Sequence, residues 1–486
     1  MFFRNKKVEN KKQQNNNIRS FIGAKPAPNN RFNVSFSRIN QELKQDYIGL
    51  VLRSRSLAKN NETVASYLNA ATRMALGHQG FIFNATAKND DGTADRIANE
   101  QIEREWNNYN NSYKKYVSSC GTMNGYELDR LVMLTYLIDG EVFIEKIQDE
   151  KSPYGVRFRV IDSLDVDMLY NDYSGKNKIV MGIKIDANGK PISYFVRKNT
   201  TDYYTAGERV EIPAEKIIHI YRKNFAGQIR GYTPLAPVIL ALNSIEEYKR
   251  AEIDAALLNA CFFGLYEKNG IGSAYDEYED SITPDGSIAT EIETNTIKFA
   301  PDGYSFKNAS VQHPNGNFGN FFKSALKGVC GTLGLSYNKI SSDYESTSYS
   351  SLRASAIDNA ETIKELQQFF ISSWKDIEYA EWLKYLLISD LTNLPYSRIE
   401  KFMNHTFSGK NLEYIDPVKE MAAIQLRLQL GLSNPLEELK NAGKNPEFIL
   451  DGWQKWNKML KDRNLQISIN TDVIQNLDDA EKTNEE

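Results

Sequence analysis

Apolar residues recur at three-, four- and seven-residue steps between Ile39 and Leu76, a spacing that predicts helix. The polar run Asn60-Asn61-Glu62-Thr63 divides this stretch into two helices. The same spacing predicts a helix over Thr93–Asn108, with Thr93 as its N-cap, and another over Glu127–Ile138. The patterned part of the chain therefore begins with four helices.

After Asp139-Gly140 the pattern changes to the alternation that is typical of strands. The predicted strands are Val142–Ile144, Gly155–Ile161, Ile179–Ile185, Ile192–Val196 and Ile217–Tyr221. Asn188-Gly189 predicts a hairpin turn before the fourth strand, because both residues tolerate positive φ. Residues 40–232 are therefore predicted to form a mixed α+β domain.

The middle of the chain returns to a helical pattern. Thr233-Pro234 is a helix-start signal, and the pattern stays helical to Phe263. A Gly-, Asp- and Tyr-rich segment, residues 264–316, separates this helix from a second one over Phe318–Leu335. A loop without aliphatic residues, Ser341–Ser351, precedes a long helix predicted over Leu352–Leu391. The rest, to Leu465, is helix-rich.

Charge is distributed unevenly along the 486 residues, whose net charge is −4. Residues 1–32 carry eight basic side chains and one acidic one, and the last fifteen residues carry six acidic side chains and one basic one. Residues 264–316 carry nine acidic and three basic side chains. Both ends are poor in large apolar groups, which predicts solvated, mobile segments at 1–40 and 466–486.

The motifs of common catalytic and metal sites are missing. The sequence has no phosphate-binding GxxxxGK[ST] loop, no HExxH and no GxSxG, and its four histidines and three cysteines are widely separated. Asp165-Val166-Asp167 could place two carboxylates on one face near a divalent metal, but a solvated strand edge or turn is favoured, since no third ligand accompanies them. We therefore predict no catalytic residue, no metal and no cofactor.

The chain shows neither a membrane nor a secretion signal. No apolar run reaches the roughly 18 residues of a membrane-spanning helix. Met1-Phe2-Phe3-Arg4 is followed by Lys and Asn instead of an apolar stretch, so a signal peptide is not predicted. The few cysteines indicate a reducing compartment.

By its own chemistry the segment 233–351 predicts an amphipathic helical hairpin with an acidic insertion and a surface loop. Its second helix places Lys323 and Lys327 four residues apart on one face. A hairpin of this kind is often part of a bundle or a coiled-coil arm.

An ordered set of motifs resembles the lambda-like family of phage portal proteins. The core of the resemblance is, in chain order, His313-Pro314, Phe322-Lys323-Ser324-Ala325-Leu326-Lys327-Gly328, Leu333-Gly334-Leu335-Ser336-Tyr337, Ser342-Asp343-Tyr344 and Tyr349-Ser350-Ser351-Leu352-Arg353-Ala354. Further matches are 52–61, Asp139-Gly140-Glu141-Val142-Phe143, Ile218–Arg222, Gly227-Gln228-Ile229-Arg230-Gly231, Pro234–Val238, Trp382-Leu383 and Ile415–Glu420. The likeness extends over residues 40–465.

The resemblance implies an α+β portal fold that assembles into a ring, usually of twelve subunits. The implied parts are a basic N-terminal arm (1–40), the mixed α/β wing (41–232), the first stem helix (233–263), a small α/β clip (264–316), the second stem helix (317–340), the tunnel loop (341–351), the long wing helix with its return (352–416), a helical crown (417–465) and an acidic tail (466–486).

The resemblance also implies site residues. Those expected to face the DNA channel are Lys323, Lys327, Ser341, Ser342, Asp343, Tyr344, Tyr349 and Arg353. Those expected to bind partners from the clip are Glu277, Glu279, Asp280, Asp285, Glu291 and Glu293. Lys327 stands where the family has Arg, which keeps the charge but loses bidentate phosphate geometry.

The implied function is to form the unique vertex of a phage capsid. The implied partners are further copies of the chain, the terminase large subunit, the major capsid or scaffold protein, a head–tail connector and double-stranded DNA in transit, with no membrane. The protein would nucleate procapsid assembly in the host cytoplasm and remain in the virion. Two alternatives stay open: a DNA-processing enzyme resembling a nuclease or terminase, for which Asp165 and Asp167 are the only support, and another structural head–tail connector.

Overall fold

Helices predominate towards both ends of the described chain, and seven strands follow one another between Glu141 and Tyr221. The computed structural model describes residues 37–198, 208–261, 265–268, 304–307, 316–345, 347–410, 417–442, 446–463 and 465. Within them the helices are α1 (Ile39–Asn60), α2 (Glu62–Leu76), α3 (Arg96–Asn111), α4 (Gly125–Asp139), α5 (Ile239–Cys261), α6 (Phe318–Thr332), α7 (Tyr337–Ser341), α8 (Tyr349–Phe370), α9 (Asp376–Leu386), α10 (Ile399–Phe402), α11 (Pro417–Gln429), α12 (Pro435–Asn441) and α13 (Pro446–Asp462). The strands are β1 (Ile82–Ala85), β2 (Glu141–Gln148), β3 (Val156–Ile161), β4 (Lys178–Val180), β5 (Ile183–Ile185), β6 (Pro191–Lys198), β7 (Glu208–Pro213), β8 (Ile217–Tyr221), β9 (Leu265–Lys268), β10 (Tyr304–Lys307) and β11 (His405–Ser408).

All strand pairs between these elements are antiparallel. One sheet has the order β3-β2-β8, with Phe143 opposite Ile161 on one side and His219 on the other. A second sheet has the order β4-β5-β6-β7, and two further pairs are β1–β11 and β9–β10. Helices and sheets together make a mixed α/β fold, as predicted for residues 40–232.

Two groups of buried side chains hold these elements together. The larger group is rich in aromatics from α3 and α9, where the Trp106 and Trp382 rings meet edge to face with centroids 5.0 Å apart. The smaller group packs α1, through Tyr47 and Val51, against Phe143 of β2 and against the four-stranded sheet. None of the helices within the described ranges combines the length and the hydropathy that a membrane crossing requires.

The first predicted helices and the hairpin turn are confirmed, but the predicted N-cap of α3 is wrong. Helices α1 and α2 fill the stretch predicted over 39–76 and meet at Asn61, whose side chain caps α2. The N-cap of α3 is Asp95, because Thr93 is held in a turn by the carboxylate of Asp91 at 2.6 Å from its hydroxyl. At the predicted turn only Gly189 has positive φ, at 81°.

The strand predicted over Ile179–Ile185 is instead a hairpin. The chain reverses at Met181 and Gly182, whose φ angles are 51° and 76°, and β4 then pairs with β5. Gly182 lies against the backbone of Asp167, where a Cβ would come 2.6 Å from the carbonyl oxygen. The alternation of apolar residues continues through the turn, and this is why the pattern alone predicts one strand.

The boundaries of the central helices also differ from the prediction. Thr233 does not begin the helix directly: its hydroxyl bonds Ser54 and accepts from the backbone N–H of Leu235, a 3₁₀ turn follows, and α5 starts at Ile239. Helix α6 ends at Thr332 because Gly334 takes a φ of 77°.

The long helix predicted over 352–391 is interrupted. Helix α8 already begins at Tyr349, a π-turn over Ile371–Lys375 follows it, and α9 ends at Leu386. Since α7 extends to Ser341, the loop predicted over 341–351 is shortened to residues 342–348.

Candidate functional site

The side chains predicted to face the channel lie on α6, on α7, in the loop 342–348 and on the first turns of α8. Helix α6 buries Leu326, Val329 and Cys330 against the core, and Lys327 is exposed. Asn359 links α8 to the start of α7, because its side chain accepts from the backbone N–H of Ser336 at 2.8 Å. The core side of α6 therefore fixes which of its side chains face solvent.

Lys323 is engaged by the loop. Its Nζ lies 2.6 Å from Oδ2 of Asp343 and 5.4 Å from the centre of the Tyr337 ring, and the Tyr337 hydroxyl donates to the same carboxylate oxygen at 3.3 Å. The hydrogen bond with Asp343 raises the pKa of Lys323, and the same bond lowers the pKa of Asp343. Both groups are therefore charged at neutral pH and neutralise each other.

The loop is shaped by local hydrogen bonds of small polar side chains. The Ser341 hydroxyl donates to the carbonyl of Tyr337 and accepts from the backbone N–H of Asp343, and Ser342 adopts a φ of 56°. Ser348 caps α8 by accepting from the backbone N–H of Ser351. These bonds need no aliphatic residue, in agreement with the composition of the loop.

Two exposed tyrosines and one arginine complete the set. Tyr344 is 52% exposed and Tyr349 is 46% exposed. Arg353 forms an ion pair with Glu420 of α11, at 3.1 Å, and Lys419 lies 5.9 Å from the centre of the Tyr349 ring. The start of α8 therefore contacts the start of α11.

The site has fewer unpaired positive charges than its sequence implies. Of the three cationic side chains predicted to face the channel, Lys323 and Arg353 are paired with carboxylates. Lys327 is exposed and has no ion pair within the described part of the chain. The six acidic side chains predicted for the clip, from Glu277 to Glu293, lie outside the described residues.

A second site was missed by the sequence analysis, although three of its four residues lie in the quoted motifs. We call it the Glu141 cluster: Tyr47, Glu141, His219 and Arg230. The Glu141 carboxylate, fully buried, accepts from the Tyr47 hydroxyl at 2.5 Å, from Arg230 at 2.6 Å and from Nε2 of His219 at 2.9 Å. The backbone N–H of Gly231 donates to it at 2.8 Å.

Arg230 extends the Glu141 cluster to neighbouring backbone. Its guanidinium, also fully buried, donates to the carbonyls of Ser163 at 3.0 Å and Met181 at 2.9 Å. Burial raises the pKa of Glu141, but the charge of Arg230 and the hydrogen bonds outweigh it and bring that pKa down to about 2. Burial lowers the pKa of His219.

The motif 52–61 joins the same region. Arg55 donates two hydrogen bonds to Asp139, at 2.9 and 2.5 Å, and two to Asp162, at 3.0 and 2.7 Å. Gly140 and Gly231 allow close backbone approach: a Cβ on Gly140, whose φ is 88°, would lie 2.0 Å from the carbonyl of Tyr232. Residues of four quoted motifs therefore meet around the neighbouring buried carboxylates of Asp139 and Glu141.

The Asp165–Asp167 pair is not arranged as a metal site. Asp167 is buried, and its Oδ2 accepts from Arg209 at 2.9 and 2.6 Å. A guanidinium in that position occupies the oxygen that a metal would need. Among the described residues there is no group of three or more ligating side chains.

Several known proteins similar to the chain are phage portal proteins. A family model described as "Phage portal protein, lambda family" matches residues 25–367. The probable portal protein of Halomonas phage phiHAP-1 is 26% identical over 414 residues, which cover 83% of this chain and 79% of that protein. Portal protein B of Escherichia phage lambda is 20% identical over 346 residues, 65% of either chain.

A solved structure extends the similarity to the fold. In the neck of an empty gene transfer agent (GTA) particle, computed with C6 symmetry, one chain is 15% identical and superposes with a TM-score of 0.50. The match covers 83% of this chain and 94% of the other.

Proposed function

The chain belongs to the lambda family of phage portal proteins, and we propose that its copies assemble into a ring through which double-stranded DNA enters and leaves a phage head. It is a portal protein of a phage or phage-like particle. The observation that carries the proposal is the family match over residues 25–367. The likeness to a chain in a neck computed with C6 symmetry supports a ring, and six-fold symmetry is compatible with twelve subunits.

Each part of the chain would form one region of the ring subunit. We assign the stem to α5 and α6, which are held together by the Tyr248 ring 5.5 Å from Phe318 and 5.4 Å from Phe321. The clip would be residues 264–316, from which the described strands β9 and β10 pair with Tyr304 opposite Lys268. The crown would be residues 417–465, and the remaining α/β part the wing.

The partners follow from this assignment. The acidic clip would offer charge complementarity to the terminase large subunit during packaging and to a head–tail connector afterwards. The wing would contact the major capsid or scaffold protein when the ring nucleates a procapsid in the host cytoplasm. ATP hydrolysis would belong to the terminase, since this sequence has no phosphate-binding loop.

The proposed channel site would pass DNA without holding it. Each phosphate that a protein cation neutralises adds affinity through counterion release. The pairing of Lys323 with Asp343 and of Arg353 with Glu420 removes two of three cations from such contacts. Lys327 and the exposed tyrosines 344 and 349 remain to face the passing duplex.

Assembly is the first expected result. The purified full-length chain should form particles of about twelve times its 55.4 kDa mass, measured by mass photometry, with a central hole in negative-stain images. A chain that stays monomeric from nanomolar to high micromolar concentration contradicts the ring.

Asp343→Asn should make the assembled ring hold DNA more tightly. The substitution removes the carboxylate that neutralises Lys323, so the freed ammonium can reach phosphate. We expect the slope of log K against log salt for double-stranded DNA to steepen by at least about 0.9, the value for one additional phosphate. Fluorescence anisotropy over a salt series measures it.

The matched control is the double variant Asp343→Asn/Lys323→Met, which lacks both charges and should return to the wild-type slope. An unchanged slope in Asp343→Asn alone shows that Lys323 does not face the DNA. Because the Lys323–Asp343 pair lies at the surface, both variants should keep the fold intact.

The DNA-processing alternative gains no support from the described residues. The only residues that supported it were Asp165 and Asp167, and Asp167 forms an ion pair with Arg209. The similar proteins reported above are named portal proteins. A shorter head–tail connector is likewise disfavoured by the family match over 343 residues of the chain, 25–367.

A further inference from the structure

The four-stranded sheet has one open edge. In its order, β4-β5-β6-β7, the strand β7 lies at one end, and no residue in the described ranges pairs with β7 on the side away from β6. The opposite edge is occupied, because Asp172 exchanges two backbone hydrogen bonds with Ile179 of β4, at 2.9 and 2.6 Å. The outer side of β7 is therefore the edge at which this sheet can take up a further strand.

The pairing inside the sheet identifies the backbone groups that face this open edge. Phe195 of β6 uses its backbone for bonds with Gly182 and Asp167, on the side away from β7. Its partner in β7 is Glu211. In an antiparallel pair the residues that bond across the pair alternate with residues that do not. The backbone N–H and C=O of Glu211, and likewise those of Arg209, therefore point outwards from the sheet.

The charged side chains of β7 leave its edge accessible. Charged residues often protect an edge strand from pairing with other molecules. Here they are used within the sheet: Glu211 accepts from the Ser193 hydroxyl at 2.6 Å, and Arg209 donates to Asp167 at 2.6 Å and lies 4.0 Å from the centre of the Tyr170 ring. Strand side chains point to the two faces of a sheet, so these contacts do not cover the backbone of the edge.

The start of α1 lies on the same core as β7. Ile212 belongs to the smaller group of buried side chains, and both Val210 and Ile39, the first residue of α1, pack against that group. Arg38, directly before α1, has φ −92° and ψ 152°, which is extended backbone. The chain therefore enters α1 from an extended conformation, beside the core that the open edge adjoins.

The six residues before the described chain have the pattern of a strand. In 31–36 apolar and polar side chains alternate without exception after Arg31. They are Phe32, Asn33, Val34, Ser35 and Phe36. Such alternation is typical of a strand with one buried face, and six residues span about 20 Å. This pattern distinguishes 31–36 within the first 40 residues, whose composition predicts a solvated segment.

We propose that residues 31–36 pair with the outer edge of β7 in the same copy and form a fifth strand of this sheet. The apolar side chains of the segment would extend the core next to Val210, and the backbone of Asn33 and Ser35 would then bond Arg209 and Glu211. Direct attachment to α1 gives the segment a high effective concentration at the edge, so few contacts suffice. The inference goes beyond the proposed ring and does not depend on it.

Hydrogen exchange tests whether the edge is covered. In the full-length protein the amides of Arg209 and Glu211 should exchange at least about tenfold more slowly than in Phe32→Lys/Val34→Lys, because the variant removes the acceptors of both N–H groups. Mass spectrometry with fragmentation that resolves the amides of 208–213 measures the difference. The amides of β7 that face β6 are the internal reference, and their exchange should not change.

The matched control is Asn33→Lys/Ser35→Lys. It adds the same two charges to the same segment, but on the side chains that would face away from the core, so the slow exchange at the edge should stay within about twofold of the unsubstituted protein. Equal exchange in the unsubstituted protein and in Phe32→Lys/Val34→Lys overturns the inference. An equal loss of protection in both double variants also overturns it, since the alternation would then have no effect. Circular dichroism of each variant checks that the fold is retained.

A disulfide test assigns the strand to one copy. Residues opposite each other in such a pair have Cα atoms about 4.5–5.5 Å apart, which a disulfide can bridge. Val34→Cys is combined in turn with Val210→Cys and with Ile212→Cys, and Cys120, which is exposed, is replaced by Ser. At least one pair should give a disulfide in a product with the mass of one chain, 55.4 kDa, identified by mass spectrometry of proteolytic peptides. A cross-linked product of two chains, or no disulfide in either pair, overturns the assignment.

Discussion

Arg230→Met should destabilise the fold by roughly 3–5 kcal/mol, the usual effect of breaking a buried ion pair from one side. Met fills a similar volume, but it leaves the Glu141 carboxylate charged in the core with only Tyr47, His219 and a backbone N–H as partners. It also leaves the carbonyls that Arg230 satisfies without their donor. Urea unfolding at pH 7 and fixed protein concentration measures the loss.

The matched control is Arg222→Met. Arg222 pairs with Glu365 at 2.7 Å, but Glu365 is largely solvated, so the expected loss is below about 1 kcal/mol. The double variant Arg230→Met/Glu141→Gln, which removes both charges, should recover part of the stability. If Arg230→Met is no more destabilising than Arg222→Met, Glu141 is not the buried anion described above.

The Glu141 cluster also fixes one direction of pH dependence. The pKa of Glu141 is lowered from 4.5 to about 2 by folding, so its contribution is present above pH 4.5 and is lost as the pH falls toward 2. The pKa of His219 is lowered below 6.5 because burial favours the neutral ring, and its contribution likewise declines as the pH falls below 6.5. Both groups therefore make the fold sensitive to acid.

The Glu141 cluster shows where sequence patterns reach their limit. Periodicity predicts α1, α2 and the strands β2, β3, β6 and β8, because it depends on neighbours within a few residues. The partners of Glu141 lie 94, 89 and 78 residues away in the sequence, at Tyr47, Arg230 and His219. The motifs that contain Glu141, His219 and Arg230 could be quoted in order, but Tyr47 lies in none of them. Only the fold shows that these residues share one carboxylate. The family resemblance itself is confirmed by the match over 25–367.

The side chains predicted to face the channel could be placed on their helices from the sequence, but their ion pairs could not be predicted. Helical spacing predicts Lys323 and Lys327 four residues apart on one helix, and α6 extends from Phe318 to Thr332. The loop residue Asp343, twenty positions later, neutralises only one of them. Whether a loop carboxylate returns to a particular helix turn depends on the path of the loop, which Ser341 and Ser342 set by local hydrogen bonding and a positive φ.

A second buried ion cluster predicts an equally large effect. Lys375→Met should destabilise the fold by roughly 3–5 kcal/mol at pH 8. Lys375 lies at the end of the π-turn, and its Nζ is 3.1 Å from Asp129 and 2.5 Å from Glu378, all three being buried. The substitution would leave two carboxylates facing each other without a cation.

The stability that Glu378 contributes changes with pH in the opposite direction to the stability that the Glu141 cluster contributes. Burial raises the pKa of Glu378 from 4.5 to about 7, in spite of the nearby charge of Lys375. A raised pKa in the folded state gives a contribution that is complete below pH 4.5 and is lost as the pH rises through about 7. Without the ammonium of Lys375 the pKa of Glu378 rises further, so the variant should lose more stability at pH 8 than at pH 5.

Two further variants make the test specific to the buried charges. Lys384→Met removes an exposed lysine of α9 that pairs with Glu381 at 3.1 Å, and should cost less than about 1 kcal/mol at either pH. Glu378→Gln keeps the pair of Lys375 with Asp129 and should abolish the decline in stability between pH 5 and pH 8. Urea unfolding at both pH values distinguishes the variants. Equal losses for Lys375→Met at pH 5 and pH 8 would show that Glu378 is already ionised at pH 5, because only a carboxyl that still holds a proton there makes the loss grow with pH.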